Sequence, residues 1–289
     1  MNDRRLHTVA LLAPWVLTLL VFWVYPLVYA LILSFSQYQT LTNEMSWVGL
    51  DNYIAVFKSE TFWRALKNTL VFTVGTVPVT TSFAILLAVL VQRRGPRMSA
   101  ILRSAYFLPS VTSLVVIALI FTNLYSRDGY VNALCAMMGV PHPENGWLLT
   151  EGTALPAIMA MDVWISTGYY MVLFMAGMES ISKDLYESAE LAGATKWQQF
   201  WKITLPMLRP TLLFVIVINS IKSFQIFVEV YVMTKGGPLG ATSTLVYEVY
   251  HQAFEQSDMM GYASALAYVI FVILLVMSFL QMRLLKERS

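Results

Sequence analysis

Apolar residues collect into six long blocks along this chain, separated by shorter stretches that hold the charges, prolines and turn residues. The blocks run over 8–35, 66–91, 105–125, 155–178, 211–233 and 262–282. A helix over each covers roughly the 30 Å of a hydrocarbon core at 1.5 Å per residue, some with tilt. Backbone groups in lipid must be satisfied internally, and runs of this length are excessive for barrel strands. The pattern therefore predicts an all-α polytopic membrane protein with six transmembrane helices. Composition agrees: 57 % of the 289 residues are hydrophobic and 12 % are charged, about half the charge of a typical soluble domain.

The first block follows Arg4 and Arg5 and so resembles a secretory leader. It is far longer than a leader core and no clear small-residue cleavage site follows it, so it reads as a retained anchor. Pro14, Pro26 and Pro78 are candidate local bends, and Gly75 and Gly168 are candidate points of close helix packing.

The net charge of +2 matters through its placement. With the amino terminus in the cytoplasm, one side collects Arg4, Arg5, Arg93, Arg94, Arg97, Arg103, Lys183, Lys196, Lys202, Arg209, Arg283, Lys286 and Arg288. Excess Lys and Arg mark cytoplasmic loops, so both termini are expected there. The basic run at 92–103 is then a topology anchor rather than a nucleic-acid site. The outer loops, 36–65 and 126–154, carry Tyr38, Trp47, Tyr53, Phe57, Trp63, Tyr130 and Trp147. Those aromatics suit the membrane interface or a docking surface for a soluble partner.

Reactive chemistry is sparse. Cys135 is the single cysteine, and His7, His142 and His251 are scattered, so no metal-ligand spacing emerges. No phosphate-cradling glycine-lysine motif or nucleophile–base constellation is present, and the TKGGP stretch is not an ATP loop.

The segment 179–209 is the most informative. Its first part favours a short helix starting near Ser182 or Asp184, with Leu185, Ser188, Ala189 and Ala192 along one face and Glu187 and Glu190 on the other. Gly193 permits a helix end or a close backbone approach. Trp197, Phe200, Trp201 and Ile203 are apolar anchors before Leu205-Pro206, and Pro210 also constrains the return into the membrane. The residues alone leave two readings open, a structural connector or a partner-binding element.

The hallmark Glu187, Ser188, Ala189, Gly193, Leu205 and Pro206 resembles that of permease subunits of binding-protein-dependent ATP-driven importers. The likeness is to the maltose-type and glycerol-phosphate-type carbohydrate family, first-permease-subunit type. Ser188 stands where relatives carry alanine and Ala192 where they often carry Asp. Further landmarks in family order are VGLDNYIAVF, FWRALKNTLVFT, YFLPSV, DGYVNAL and VMTKGGP. Lys235 interrupts the usual glycine-rich stretch, and Val228 stands where relatives often have Asp.

The resemblance implies the type I ABC importer permease fold over a single transmembrane domain, 1–289, with 179–209 as its cytoplasmic coupling loop. It implies a place in the bacterial inner membrane, a second related permease, two ATPase subunits and an extracytoplasmic solute-binding protein. ATP and Mg would be bound by the ATPases, with no cofactor and no catalysis in this chain. Tyr186, Glu187, Ser188, Ala189, Gly193, Leu205 and Pro206 would couple the permease to the ATPases, transmitting ATP binding as a change of conformation.

For a sugar, polyol or sugar derivative, two polar faces are pathway candidates. Asn219, Lys222, Gln225 and Glu229 fall within an arc of about 120° on the fifth span if it is one helix. Asp162, Ser166 and Tyr169 form a face on the fourth. Charges in a span face a cavity or a partner rather than lipid, so solute contact and an internal hydrogen-bond network both remain readings. Phe224 or Phe227 would add apolar surface, and Lys222 would favour an anionic solute unless an internal ion pair neutralises it. A secondary transporter is the alternative from hydropathy alone, and a membrane enzyme or scaffold a more distant one.

Overall fold

The computed structural model describes residues 2–39 and 44–286; Arg288, among the basic residues placed in the cytoplasm above, lies outside them. The chain opens with helix α1 (Asn2–Leu19), a π-helical turn (Leu20–Val24) and helix α2 (Tyr25–Ser34). An antiparallel hairpin follows, β1 (Ser36–Gln39) with β2 (Glu44–Trp47), Ser36 opposite Trp47. Then come α3 (Asp51–Lys58), α4 (Glu60–Gln92), α5 (Pro96–Val111), α6 (Leu114–Leu124), α7 (Tyr130–Met137) and α8 (Glu151–Glu179). The chain continues through α9 (Lys183–Leu191), α10 (Lys196–Gln199), a π turn (Phe200–Thr204), α11 (Leu205–Met207), α12 (Arg209–Phe224) and α13 (Val228–Met233). It ends with α14 (Leu245–Tyr250), a third π turn (His251–Glu255) and α15 (Met260–Lys286).

Five helical stretches among the described residues are long and apolar enough to span a membrane: Leu11–Ser34, Glu60–Gln92, Glu151–Glu179, Arg209–Met233 and Met260–Arg283. They match five of the six expected blocks. The block at 105–125 is not one straight helix: α5 and α6 meet at a 92° bend. Pro109 cannot donate a backbone hydrogen bond to its own helix, and the helix stops three residues later, where Thr112 and Ser113 turn extended (ψ 150° and 121°). Pro78, by contrast, sits inside an unbroken 33-residue α4.

Two π turns share a cause. Each ends two residues before a proline, Val24 before Pro26 and Thr204 before Pro206. The proline ring crowds the carbonyl four residues back, and widening the preceding turn carries the helix past it. Tyr25 thus bonds back to Leu20, and Leu205 to Phe200.

The chain divides into two compact units, 1–63 with 248–273 and 64–247 with 274–289. In the first, Asn52 donates to the carbonyls of Ser34 (3.0 Å) and Ser36 (2.9 Å), and the Tyr53 hydroxyl meets Ser34 at 2.8 Å. The two Asn52 bonds satisfy carbonyls left open at and just past the end of α2. The backbone of Leu33 and Ser36 leaves no room for a Cβ at Gly261, and Tyr268 donates to Leu27 at 2.6 Å.

In the second unit α8 is the central helix. Its span is 61 % buried, against 6 % for Leu11–Ser34, whose apolar surface is left for lipid or partners. One cluster on α8 gathers Ile158, Met161 and Ile165 with Phe72, Ile117 and Val230; another gathers Tyr170, Met171 and Phe174 with Ala84, Ala88 and Leu208. Gly168 is where α5 comes closest, because a Cβ there would strike the Tyr106 carbonyl. At Gly75 only the flexible end of Met159 would be displaced.

Candidate functional site

Two groups of residues stand out, both in the second unit. The first is the segment between α8 and α12. Ser182 caps α9 by accepting from the Asp184 N–H (3.3 Å). The helix ends in a left-handed Gly193 (φ +79°), with Gly193 N–H on Glu190 O and Ala194 N–H on Ala189 O, both at 2.9 Å. This is a Schellman closure, which glycine adopts without the Cβ penalty. Thr195 and Gln198 then form a reciprocal capping box that starts α10 at once. The turn is thus fixed by local chemistry on both sides. Lys196 pairs with Glu190 across it and holds the Glu190 carboxyl below its usual range.

Along the face that holds Leu185, Ser188, Ala189 and Ala192, only Ala189 is partly covered by this chain, which leaves the rest open to a partner. Tyr186 and Ala189 are the half-buried positions, whereas Leu185, Glu187, Ser188 and Ala192 are exposed and Leu191 is 92 % exposed. Tyr186 ties the helix to the spans: its ring packs against the Tyr170–Leu208 cluster and its hydroxyl meets Thr204 Oγ1 at 2.9 Å. Of the seven coupling candidates, Glu187, Ser188 and Gly193 face outward, and nothing lies within 4 Å of where a Gly193 Cβ would be. Tyr186, Ala189, Leu205 and Pro206 are half-buried and anchor the segment. Beside it, Trp197 and Trp201 are exposed and in edge contact with centroids 5.6 Å apart.

The second group lies within the spans. Lys222 Nζ donates to Ser166 Oγ at 2.8 Å and lies 3.8 Å from Asp162 Oδ1, while Ser166 donates to Asp162 at 3.3 Å. Asp162 is 4 % exposed and the Lys222 side chain 49 %. α8 and α12 therefore share one polar cluster. Glu229, also buried, lies within electrostatic reach of both Asp162 and Lys222.

The single 120° arc on the fifth span does not hold. The helix breaks after Phe224, Gln225 caps it, and α13 starts afresh at Val228. The break is stabilised from elsewhere: the Thr244 hydroxyl donates to the Ile226 carbonyl at 3.1 Å. Asn219 and Lys222 remain on α12, Gln225 sits exposed at the break, and Glu229 turns inward on the next helix. Asn219 is buried and accepts from Ser223 at 3.4 Å, and Ser223 in turn accepts from Thr76 at 3.3 Å. Tyr169 does not join the Asp162 cluster; it is exposed and sits edge-on to Tyr170. Phe224 is fully buried, and Phe227 stacks on Tyr231 at 5.4 Å.

The sequence reading missed Thr244, Thr204 and the Ser220–Gln281 contact at 2.9 Å. Each is a hydroxyl or amide distant in sequence from its partner, with no local motif to flag it. Among the described residues, no group of three or more His, Cys, Asp or Glu is placed to hold a metal ion.

Residues 80–288 match the family described as "Binding-protein-dependent transport system inner membrane component". The lactose transport system permease protein LacF of Rhizobium radiobacter is 34 % identical over 279 residues, 96 % of this chain and 93 % of that protein. The arabinooligosaccharides transport system permease protein AraP of Bacillus subtilis is 34 % identical over 275 residues, 94 % of this chain and 86 % of that protein. Among solved structures, a chain of a bacterial alginate ABC transporter in complex with an alginate pentasaccharide-bound periplasmic protein superposes with a TM-score of 0.84. It has 25 % identity, over 96 % of this chain and 93 % of that one.

Proposed function

Because this chain belongs to the family of binding-protein-dependent transport system inner membrane components, we propose that it is a permease subunit of an ATP-driven importer for an oligosaccharide or related polyhydroxylated solute. The observation that carries the substrate class is likeness along the whole chain to LacF and AraP, proteins named for lactose and arabinooligosaccharide transport. No finding favours the ion-gradient transporter.

The reading assigns this chain half of a transmembrane pathway, completed by a second related permease. Two ATPase subunits, which bind ATP and Mg, sit against its cytoplasmic face, and an extracytoplasmic binding protein delivers the solute. Both termini face the cytoplasm, following the basic bias of the loops. The chain itself carries out no bond chemistry.

The outward surface of α9, with Glu187, Ser188 and Leu191, is the part that meets an ATPase. Tyr186 and the Leu205-Pro206 turn hold that surface to the span ends, so movement of the ATPase moves the helices. A ligand shifts such an equilibrium only through contacts that differ between two states, and the exposed α9 face supplies them.

The polar cluster supports a neutral solute. Lys222 is paired with the Asp162 carboxyl, and Glu229 is a second buried acid in electrostatic reach, so the cluster offers an entering anion no unpaired cation. Among the pathway candidates, Lys222 in the cluster and Tyr169 and Gln225 outside it are exposed and able to bond hydroxyl groups, whereas Asp162, Ser166, Asn219 and Glu229 are buried. Coexpression of this chain with its neighbouring permease, ATPase and binding protein tests the assembly. The expected result is one detergent-stable complex whose ATP hydrolysis rises when the loaded binding protein is added. Purification of this chain as an active transporter without an ATPase would refute the reading.

A further inference from the structure

A cavity of about 460 Å³ lies between the ends of α4 and α8 and the α9–α10 segment. It belongs to neither the polar cluster nor the outward face of α9. Its charged lining is lopsided. Glu179 is engaged by Arg103 at 3.0 Å and Lys196 by Glu190, whereas Arg93 and Lys183 form no ion pair among the described residues. Gln199, 4 % exposed, also lines the cavity; its Nε2 lies beside the Glu190 carboxyl but makes no hydrogen bond of good geometry there. A buried amide donor so poorly matched is costly, and the two exposed, unpaired cations beside it give the cavity an excess of positive charge that favours an anion.

The position narrows the choice. The apolar run of α4 ends at Val91, and Gln92, Arg93, Arg94, Gly95 and Pro96 follow, so the cavity opens where a span leaves the hydrocarbon. Basic cavities between helix ends at that depth suit lipid head groups. Val89, Met178 and Phe200 complete the wall with apolar surface, which fits a glycerol ester better than a bare inorganic ion.

We infer that this cavity binds the phosphate group of an anionic ligand, held by Arg93, Lys183 and the Gln199 amide, with the head group of an anionic phospholipid as its source. Its occupant bridges the ends of α4 and α8 and the α9–α10 segment, and so stiffens the base of that segment. The inference needs neither the solute nor the direction of transport.

The test is native mass spectrometry of the assembled complex taken from bilayers of phosphatidylglycerol and phosphatidylcholine in equal amounts. The expected result is preferential retention of phosphatidylglycerol, falling about thirtyfold in R93Q/K183Q, since each of the two cations near an anionic surface contributes about 1 kcal/mol and about 1.4 kcal/mol is tenfold. The charge-matched R94Q/R97Q variant, altered at residues outside the cavity, retains the lipid. Size-exclusion and thermal unfolding profiles confirm that both variants assemble. A second arm offers millimolar glycerol 3-phosphate to the delipidated complex; saturable binding lost in R93Q/K183Q, without lipid retention, upholds the phosphate site and assigns it a soluble source. Equal retention of both lipids together with no glycerol 3-phosphate binding overturns the inference, as does equal loss in the two variants.

Discussion

Lys222 on α12 donates to Ser166 on α8 across 2.8 Å, with the buried Asp162 carboxylate 3.8 Å from the same ammonium. One long side chain thereby ties two spanning helices together and neutralises a carboxylate that would otherwise be buried alone. Half of that side chain remains exposed, so the ammonium has capacity left for a further acceptor. The same residue thus serves packing and, in our reading, the solute.

This pairing predicts unequal effects of neutralising its members. Lys222→Ala leaves Asp162 buried without a cation, and removing one partner of a buried pair is costly; with Lys222 half exposed, we expect about 1–2 kcal/mol of destabilisation. Asp162→Asn in the same chain should restore much of the loss. Thermal unfolding of the single and double variants in detergent measures the coupling, and strictly additive losses would contradict the pair.

Gly193 separates docking from folding. Its φ of +79° costs a non-glycine residue about 1–2 kcal/mol, yet a side chain there meets nothing within 4 Å. Gly193→Asn should therefore preserve ATPase copurification and uptake. Gly193→Trp should leave the chain folded and reduce both. Normal uptake with Gly193→Trp would remove this turn from the ATPase interface.

Gly168 reports on helix packing. A methyl group there strikes the Tyr106 backbone, which cannot swing aside. Gly168→Ala is expected to lower stability by about 1–3 kcal/mol, the usual range for overpacking, whereas Gly75→Ala meets only the flexible Met159 end and should cost less. Equal melting temperatures for the two variants would contradict the close approach of α5 and α8.

Thr244 tests the break in the fifth span. Thr244→Val keeps the shape but leaves the Ile226 carbonyl without its donor, a loss of about 1–3 kcal/mol for a buried group. An unchanged melting temperature would mean that the break is held by other contacts.

What could be read from sequence divides by range. Apolar blocks of more than 20 residues disclosed five spans, because length against bilayer thickness is a one-dimensional property. Gly193 and the Ser182 cap were legible as local turn chemistry. The bend at Thr112 had a visible cause in Pro109, but Pro78 leaves α4 unbroken, so proline alone does not decide. The break after Phe224 has no local mark in KSFQIFVEV; the hydroxyl that bonds the Ile226 carbonyl comes from Thr244, twenty residues on from Phe224. Leu185, Ser188 and Ala192 were legible as one face of α9, whereas the hold of Tyr186 on Thr204, 18 residues on, required the tertiary fold. Asp162, Ser166 and Lys222 were each legible as polar residues in spans, but their meeting required the tertiary fold.

The most direct measurement is uptake into proteoliposomes containing the full complex, with its binding protein and a panel of labelled neutral oligosaccharides, polyols and anionic sugar derivatives. The account predicts accumulation of a neutral member that requires ATP on the ATPase side and persists when ion gradients are collapsed. Accumulation driven by an ion gradient without ATP would contradict the account at its centre.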